Sequence, residues 1–213
     1  MILSERATEV EAKIYFDEIS KKHKEKGFNL SRACYPISSE ELLEEGYAIK
    51  KCISPFRNIE IYIPYLIISL SSEKVFRLFI NLLEIFKSIV NVSLEWNSTG
   101  TNETFNSFFN IDSVALRSTL WDFEDFLMDS GYAGIAVFNR KKSLMVFLDG
   151  HKHIIVYNWI LARKRTMALL KETGIQKKEG LQTIVTMPHC HSSPKRFDEK
   201  LKELASILKE MSL

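Results

Sequence analysis

Four of the five histidines of this chain stand in two His-x-His motifs. In extended backbone, residues two positions apart point to the same side, so each motif can present two imidazoles together. Imidazole nitrogen is a common ligand of Zn²⁺ and of its first-row neighbours. The spacing therefore predicts four candidate metal ligands, which are His151, His153, His189 and His191.

A third donor is available beside each motif. Asp149 precedes the first motif, and Cys190 lies inside the second. Carboxylate and thiolate groups both bind divalent metals, and an imidazolium neighbour can also activate a thiol as a nucleophile. Adjacent residues in a strand point to opposite faces, however, so Cys190 is poorly placed to share a proton with the histidines beside it. Metal binding is therefore the better supported role for these segments.

Whether the two motifs can share one ion depends on the strands that carry them. The first motif begins a predicted strand over 152–158, and the second follows a predicted strand over 182–187. The helix between them predicts a right-handed crossover and parallel strands. Six residues at ~3.3 Å each then separate the motifs by about 20 Å. We therefore expect no four-ligand site, unless the connection returns antiparallel.

The usual signatures of catalysis are missing from the chain. It contains no G-x-S-x-G, H-E-x-x-H, C-x-x-C, G-x-G-x-x-G or P-loop motif, and only 8 glycines. Their absence removes the standard routes to hydrolase, zinc protease, thiol redox and nucleotide chemistry. The sequence favours a binding or interaction protein over an enzyme, with no cofactor favoured. A metal- or small-ligand-dependent enzyme that uses the His-x-His segments stays open as an alternative.

Charge is distributed unevenly although the net charge is only +2. Residues 95–130 carry seven acids and one base, whereas residues 131–180 carry ten bases and three acids. The basic segment 140–178 can bind nucleic-acid phosphates, and Trp159 within it can stack on a base. The candidate phosphate ligands are Arg163, Lys164 and Arg165. The other interpretation is that the basic segment is solvated or compensates the acidic one.

Hydrophobic periodicity predicts one α+β domain over residues 1–213, with helices packed on a mixed β-sheet. Helices are predicted over 4–26 (within an N-terminal helical segment, 1–27), 39–45, 73–88, 113–130, 159–173 and 194–211 (within a C-terminal segment, 194–213). Strands are predicted over 47–54, 59–70, 89–96, 134–139, 143–149, 152–158 and 182–187. The polar stretch 97–106 is predicted to be an exposed loop.

Two of these helices indicate self-association. On the helix over 73–88 the polar residues form one narrow stripe, and the remaining surface is apolar over more than the ~100° of an ordinary surface helix. The C-terminal helix over 194–212 has apolar residues at alternating steps of four and three. Either helix can pair across a two-fold axis, so we expect a homodimer. Packing of both faces within one chain is the alternative.

The cysteine count and the hydropathy predict the compartment. Three widely spaced cysteines, Cys34, Cys52 and Cys190, fit free thiols in a reducing environment better than a disulfide framework. The first residues lack the basic and apolar regions of a signal peptide, and no apolar run reaches the ~18–20 residues of a membrane span. We therefore expect a cytoplasmic protein that has no membrane association.

Overall fold

The computed structural model describes residues 9–38, 40, 42–56, 59–96 and 104–212. Six α-helices lie in these ranges: α1 (Glu9–Glu25), α2 (Ser72–Leu82), α3 (Ser113–Trp121), α4 (Glu124–Asp129), α5 (Arg163–Glu172) and α6 (Phe197–Met211). The strands are β1 (Cys34–Pro36), β2 (Gly46–Phe56), β3 (Ile59–Ser69), β4 (Ile89–Trp96), β5 (Thr104–Asp112), β6 (Ala133–Asn139), β7 (Leu144–Leu148), β8 (Ile154–Tyr157) and β9 (His189–His191).

Seven of the strands form one sheet in the order β2-β3-β8-β7-β6-β4-β5, and β1 pairs with β9 in a separate two-stranded sheet. Every ladder between these described strands is antiparallel. The large sheet is therefore antiparallel rather than mixed as expected. Among the described residues, the one parallel pairing is an isolated bridge between Tyr47 and Lys177, outside the strand ladders. The α+β class is confirmed.

The core lies between one face of the large sheet and a layer of helices. β4 alternates buried and partly exposed side chains, with Val90, Val92 and Leu94 directed into the core. Such alternation is the pattern of a strand with one covered face. The covering layer is continuous, because α2 contacts both α4 and α5, and α4 contacts α6.

The apolar helix predicted over 73–88 is buried within its own chain. It forms α2 followed by a 3-10 turn at Leu83–Ile85, and the side chains of Phe76 and Phe79 are 2% and 0% exposed. On α6 the apolar stripe is covered as well, since Leu204 and Leu208 are fully buried. Intrachain packing therefore accounts for the two faces on which the expectation of a homodimer rested, and they give it no support.

Several predicted elements differ from the structure. The helix over 113–130 is interrupted at Asp122 and Phe123, where a turn brings both Phe123 and Phe126 into the core. No helix forms over 42–45, where the Glu45 carboxylate accepts hydrogen bonds from Ser71 N and Lys74 Nζ; residues 39 and 41 of that prediction lie outside the described residues.

The last residues of the predicted polar loop over 97–106 form a strand instead. Residues 97–103 lie outside the described residues, and Thr104 to Asn106 belong to β5, where they pair with β4. Cross-strand hydrogen bonding therefore overrides the polar composition at this end of the loop.

Among the described residues, no helix combines the length and the apolar character that a membrane span requires.

Candidate metal centre

The two His-x-His motifs lie side by side in the structure. The ring centre of His151 is 5.0 Å from that of His189 and 4.8 Å from that of His191. The expected separation of about 20 Å is therefore wrong. Residues 184–186 form a 3-10 turn instead of a strand beside β8, and the second motif is itself strand β9, paired with β1. The crossover rule applies only to parallel strands of one sheet, so it does not hold here.

The small sheet packs against the large one through Gly131, which precedes β6. Gly131 N donates to Ser192 O at 2.7 Å, and Ser192 N donates to Ala33 O at 2.8 Å. A Cβ atom at Gly131 would lie 2.1 Å from Ala33 O, so only glycine permits this approach. These contacts hold β9 beside the turn between β7 and β8, which carries the first motif.

Three imidazoles form a nearly equilateral triangle at this junction. The ring centres of His189 and His191 are 5.0 Å apart, which matches their distances of 5.0 and 4.8 Å to His151. The rings are inclined to one another by 58° to 77° rather than stacked. Three imidazoles that bind one ion tetrahedrally, at about 2.1 Å from nitrogen to metal, have ring centres about 5 Å apart. The ring-centre distances are therefore those of a three-histidine metal site, although the ligand atoms of His151 group with those of Asp149 and His153 and the ligand atoms of His189 and His191 group with Cys34.

Each of these three imidazoles has a hydrogen-bond acceptor at Nδ1. His189 donates to Met187 O at 2.8 Å and His191 donates to Gly131 O at 2.6 Å, while Nδ1 of His151 lies 3.5 Å from Asp149 Oδ2. A proton held on Nδ1 leaves the lone pair on Nε2, which is the usual arrangement of metal-bound histidine. The tautomers are therefore set for binding through Nε2.

The Asp149 carboxylate orients both histidines of the first motif. Its Oδ1 accepts from His153 N at 2.8 Å, and its Oδ2 lies 3.4 Å from Nδ1 of His153 as well as near His151. Burial opposes its ionisation, but the neighbouring His153 and His151 hold the pKa of Asp149 well below its usual range. Asp149, His151 and His153 have ligand atoms close enough to hold an ion themselves. An ion there would compete with the carboxylate–imidazole contacts, so we assign Asp149 to orienting His151.

Cys34 supplies a fourth donor that the sequence reasoning missed. It is the register partner of His191 in the small sheet, and the ligand atoms of Cys34, His189 and His191 lie within 4.8 Å of one another. Burial raises the pKa of the Cys34 thiol to about 12. Cys190, the donor suggested by sequence, is instead paired with Tyr35 and belongs to neither ligand cluster found among the described residues. The pairing of β1 with β9 places Cys34, and not Cys190, beside these histidines.

Lys152 lies between the two histidines of the first motif and is buried. Its backbone has a φ of +65°, and its Nζ donates to Ala133 O at 3.1 Å. Burial lowers the pKa of Lys152 to about 8, although the Asp149 carboxylate acts in the opposite direction. This side chain anchors the motif to β6, so it is unavailable as part of a basic surface.

A small cavity lies beside the cluster. Its walls include the side chains of Cys34, His151, Lys152 and His153, together with Ser31. The volume of the cavity is about 20 Å³. That space is sufficient for one water molecule or one ion and too small for an organic substrate.

The candidate nucleic-acid residues lie elsewhere, at the start of α5. Arg163, Lys164 and Arg165 are exposed there, and Arg165 Nη2 donates to Glu84 Oε2 at 2.6 Å. Trp159 is only 6% exposed, so it cannot stack on a base. The three cations are therefore exposed on the surface, whereas Trp159 is not available as a stacking partner for a base.

The fold and the cluster define an α+β protein with a candidate His/Cys metal centre at the junction of two sheets. Comparison with protein-family models, with curated protein sequences and with solved structures finds no match.

Proposed function

We propose that this protein binds one divalent transition-metal ion through His151, His189 and His191, with Cys34 as the fourth ligand. The observation that carries the proposal is the triangle of ring centres 4.8 to 5.0 Å apart, with the nearby thiol of Cys34. All three imidazoles have their Nδ1 atoms engaged elsewhere, so the Nε2 atoms are available to the ion.

The donor set favours Zn²⁺. Three imidazoles and one thiolate combine nitrogen and sulfur ligands around a tetrahedron, which is the preference of zinc in proteins. Cys34 is protonated in the absence of metal, because burial raises its pKa to about 12. Binding of Zn²⁺ at neutral pH therefore displaces the thiol proton.

Four protein ligands leave no open coordination position, and the adjoining cavity has no room for an organic substrate. The role that follows is structural. An ion held by β1, β9 and the β7–β8 turn fastens the small sheet to the large one, and its binding energy contributes to folding.

The first experiment measures metal content and ligation. Protein purified without a nickel column is expected to contain about one equivalent of zinc, and its cobalt form is expected to show the near-ultraviolet absorption of a cobalt–thiolate bond. Cys34→Ser should abolish that absorption. Cys190→Ser, which changes the neighbouring thiol, should retain it.

Two outcomes would contradict the proposal. One is protein without bound metal whose melting temperature does not respond to Zn²⁺. The other is a His189→Ala variant that binds zinc as tightly as the unmodified protein. A cobalt form that binds with the three histidines but lacks the thiolate absorption would instead indicate an open fourth position, and would overturn the structural role.

We propose the cytoplasm as the compartment. Cys52 and Cys190, which are not part of the proposed metal centre, are free thiols in the structure. Free thiols of this kind persist in a reducing environment.

A further inference from the structure

The end of the large sheet opposite the metal centre carries an exposed surface of apolar and basic side chains. The β6–β7 turn and the β8–α5 connection lie at this end, whereas the β7–β8 turn with the first histidine motif lies at the other. The five residues of β7 separate the two ends by about 16 Å at ~3.3 Å per residue. We call this surface the basic face.

The basic face is formed by segments that meet in space. Asn158 Nδ2 donates to Lys142 O at 3.3 Å, which joins the β8–α5 connection to the β6–β7 turn. Two adjoining grooves follow the surface, one on each side of that turn. Their exposed cations are Lys87, Arg140, Lys141, Lys142, Arg163, Lys164 and Arg165.

Few acids neutralise these cations. Among the described residues that line the two grooves the one acid is Glu84, which lies in the groove with Lys87 and Lys142 and is paired with Arg165 at 2.6 Å and with Arg117 at 3.4 Å. No ion pair joins Lys87, Lys141, Lys142 or Lys164 to an acid within the described ranges. The face therefore presents a positive field to its partner.

Large apolar side chains project from among the cations. Leu161 is 62% exposed, Ile160 is 54% exposed, and Ile89 and Phe109 are 46% and 41% exposed. Ile160 and Leu161 are adjacent in a 3-10 turn directly before Arg163. Exposed apolar residues surrounded by cations are the pattern of a surface that lies on a lipid headgroup layer.

We propose that the basic face docks on an anionic lipid surface, with Ile160 and Leu161 entering the headgroup region and the surrounding cations contacting lipid phosphates and carboxylates. Such peripheral docking needs no membrane-spanning helix, but it departs from the sequence-based expectation of no membrane association. Charge and hydrophobicity both favour lipid as the partner. Anionic headgroups complement the cations of the basic face, and the acyl layer accommodates its apolar side chains.

The other occupants fit less well. Two copies of the face would bring like charges together, so self-association there is opposed. Nucleic acid accounts for the cations, but it offers no apolar phase for the two aliphatic side chains, and Trp159 is buried and unable to stack. We therefore treat nucleic-acid binding as a competing outcome of the test.

Vesicle flotation with the zinc-treated full chain tests the proposal. Binding is expected to vesicles of phosphatidylcholine with about 30% phosphatidylserine, and not to phosphatidylcholine alone. Lys141→Ser/Lys142→Ser should lower the partition coefficient about fivefold for each lysine removed. Ile160→Ser/Leu161→Ser should lower it about tenfold, since the apolar contribution is lost.

Matched controls separate this face from general effects. Lys202→Ser/Lys209→Ser on α6 changes the net charge by the same amount, and Val185→Ser removes an aliphatic side chain that is 45% exposed near the metal centre. Both controls should bind vesicles as the unmodified protein does. All variants should retain zinc, because the metal centre lies at the opposite end of the sheet.

Three results would overturn the proposal. The first is no binding to the phosphatidylserine vesicles in low salt. The second is binding that falls equally in the α6 control, which would indicate net charge alone. The third is tight binding to duplex DNA that depends on Lys141 and Lys142 but is unchanged by Ile160→Ser/Leu161→Ser, which would identify a nucleic-acid surface.

Discussion

Cys34 and His191 face each other as register partners in the two-stranded sheet. Residues directly opposite in an antiparallel pair present their side chains on the same face. One short ladder therefore places a thiol beside an imidazole, and the turn between β7 and β8 brings the ring centre of His151 to 4.8 Å from that of His191. The candidate metal centre is a consequence of how β1 and β9 pair.

Asp149 orients the imidazoles of His151 and His153, so its neutral amide analogue should weaken metal binding. We expect Asp149→Asn to lower the zinc affinity 10- to 100-fold, as is typical for groups that orient metal ligands. Asp122→Asn, which changes an exposed aspartate on another element, is the control. Competition with a chromophoric chelator measures the affinity, and an unchanged value for Asp149→Asn would contradict the orienting role.

Gly131 should be irreplaceable at the junction of the sheets. A Cβ atom there meets Ala33 O at 2.1 Å, and Gly131 O accepts the hydrogen bond that orients His191. Gly131→Ala should therefore lower both the free energy of unfolding and the zinc affinity. Gly180→Ala introduces strain at a φ of +70° without a nearby atom, so it should cost about 1 kcal/mol and leave zinc binding unchanged.

Urea denaturation and zinc titration of both glycine variants make this test. Zinc affinity that falls equally in the two variants would show that general destabilisation, rather than displacement of His191, is responsible.

His23 predicts a loss of stability in acid. The side chain is fully buried, its Nδ1 donates to Ile19 O at 3.0 Å, and burial lowers its pKa. The folded protein therefore keeps this imidazole neutral, while the unfolded chain takes up a proton below a pH of about 6.5. The contribution of His23 is complete above that pH and is lost as the pH falls, at up to about 1.4 kcal/mol per pH unit.

Urea denaturation at pH 7 and at pH 5.5, with a chelator present, measures this effect. In His23→Leu the loss on acidification should be about 1 kcal/mol smaller than in the unmodified protein. The pKa of His191 is also lowered by burial, and its contribution is common to both proteins. An identical pH dependence in the two proteins would rule out the assignment to His23.

Phe79 lies on α2 with no exposed surface, so its truncation should be costly. Phe79→Ala is expected to lower the free energy of unfolding by about 3–5 kcal/mol, and Arg77→Ala on the exposed stripe by less than about 0.5 kcal/mol. The midpoint of unfolding should not vary over a roughly fiftyfold range of protein concentration. A midpoint that rises with concentration would indicate that α2 is buried by a second chain instead.

Local periodicity was sufficient for much of the fold. The alternation of apolar and polar residues from Ile89 to Trp96 predicts both ends of β4, because successive side chains of this strand point alternately into the core and away from it. Asp149-Gly150 marks the turn between β7 and β8 for a similarly local reason. The interruption of the helix over 113–130 was not predictable in this way. The turn at Asp122 and Phe123 depends on which aromatic rings the core can accommodate, and the neighbouring residues in the sequence do not indicate it.

The sequence by itself determined the α+β class and the residue types that can bind a metal. The tertiary structure decided which of them meet, since the pairing of β1 with β9 brings Cys34 and His191 together. Strands of three residues are too short to show a period, and their partner is selected by long-range packing at Gly131. The metal centre therefore became visible only when the two sheets were placed side by side.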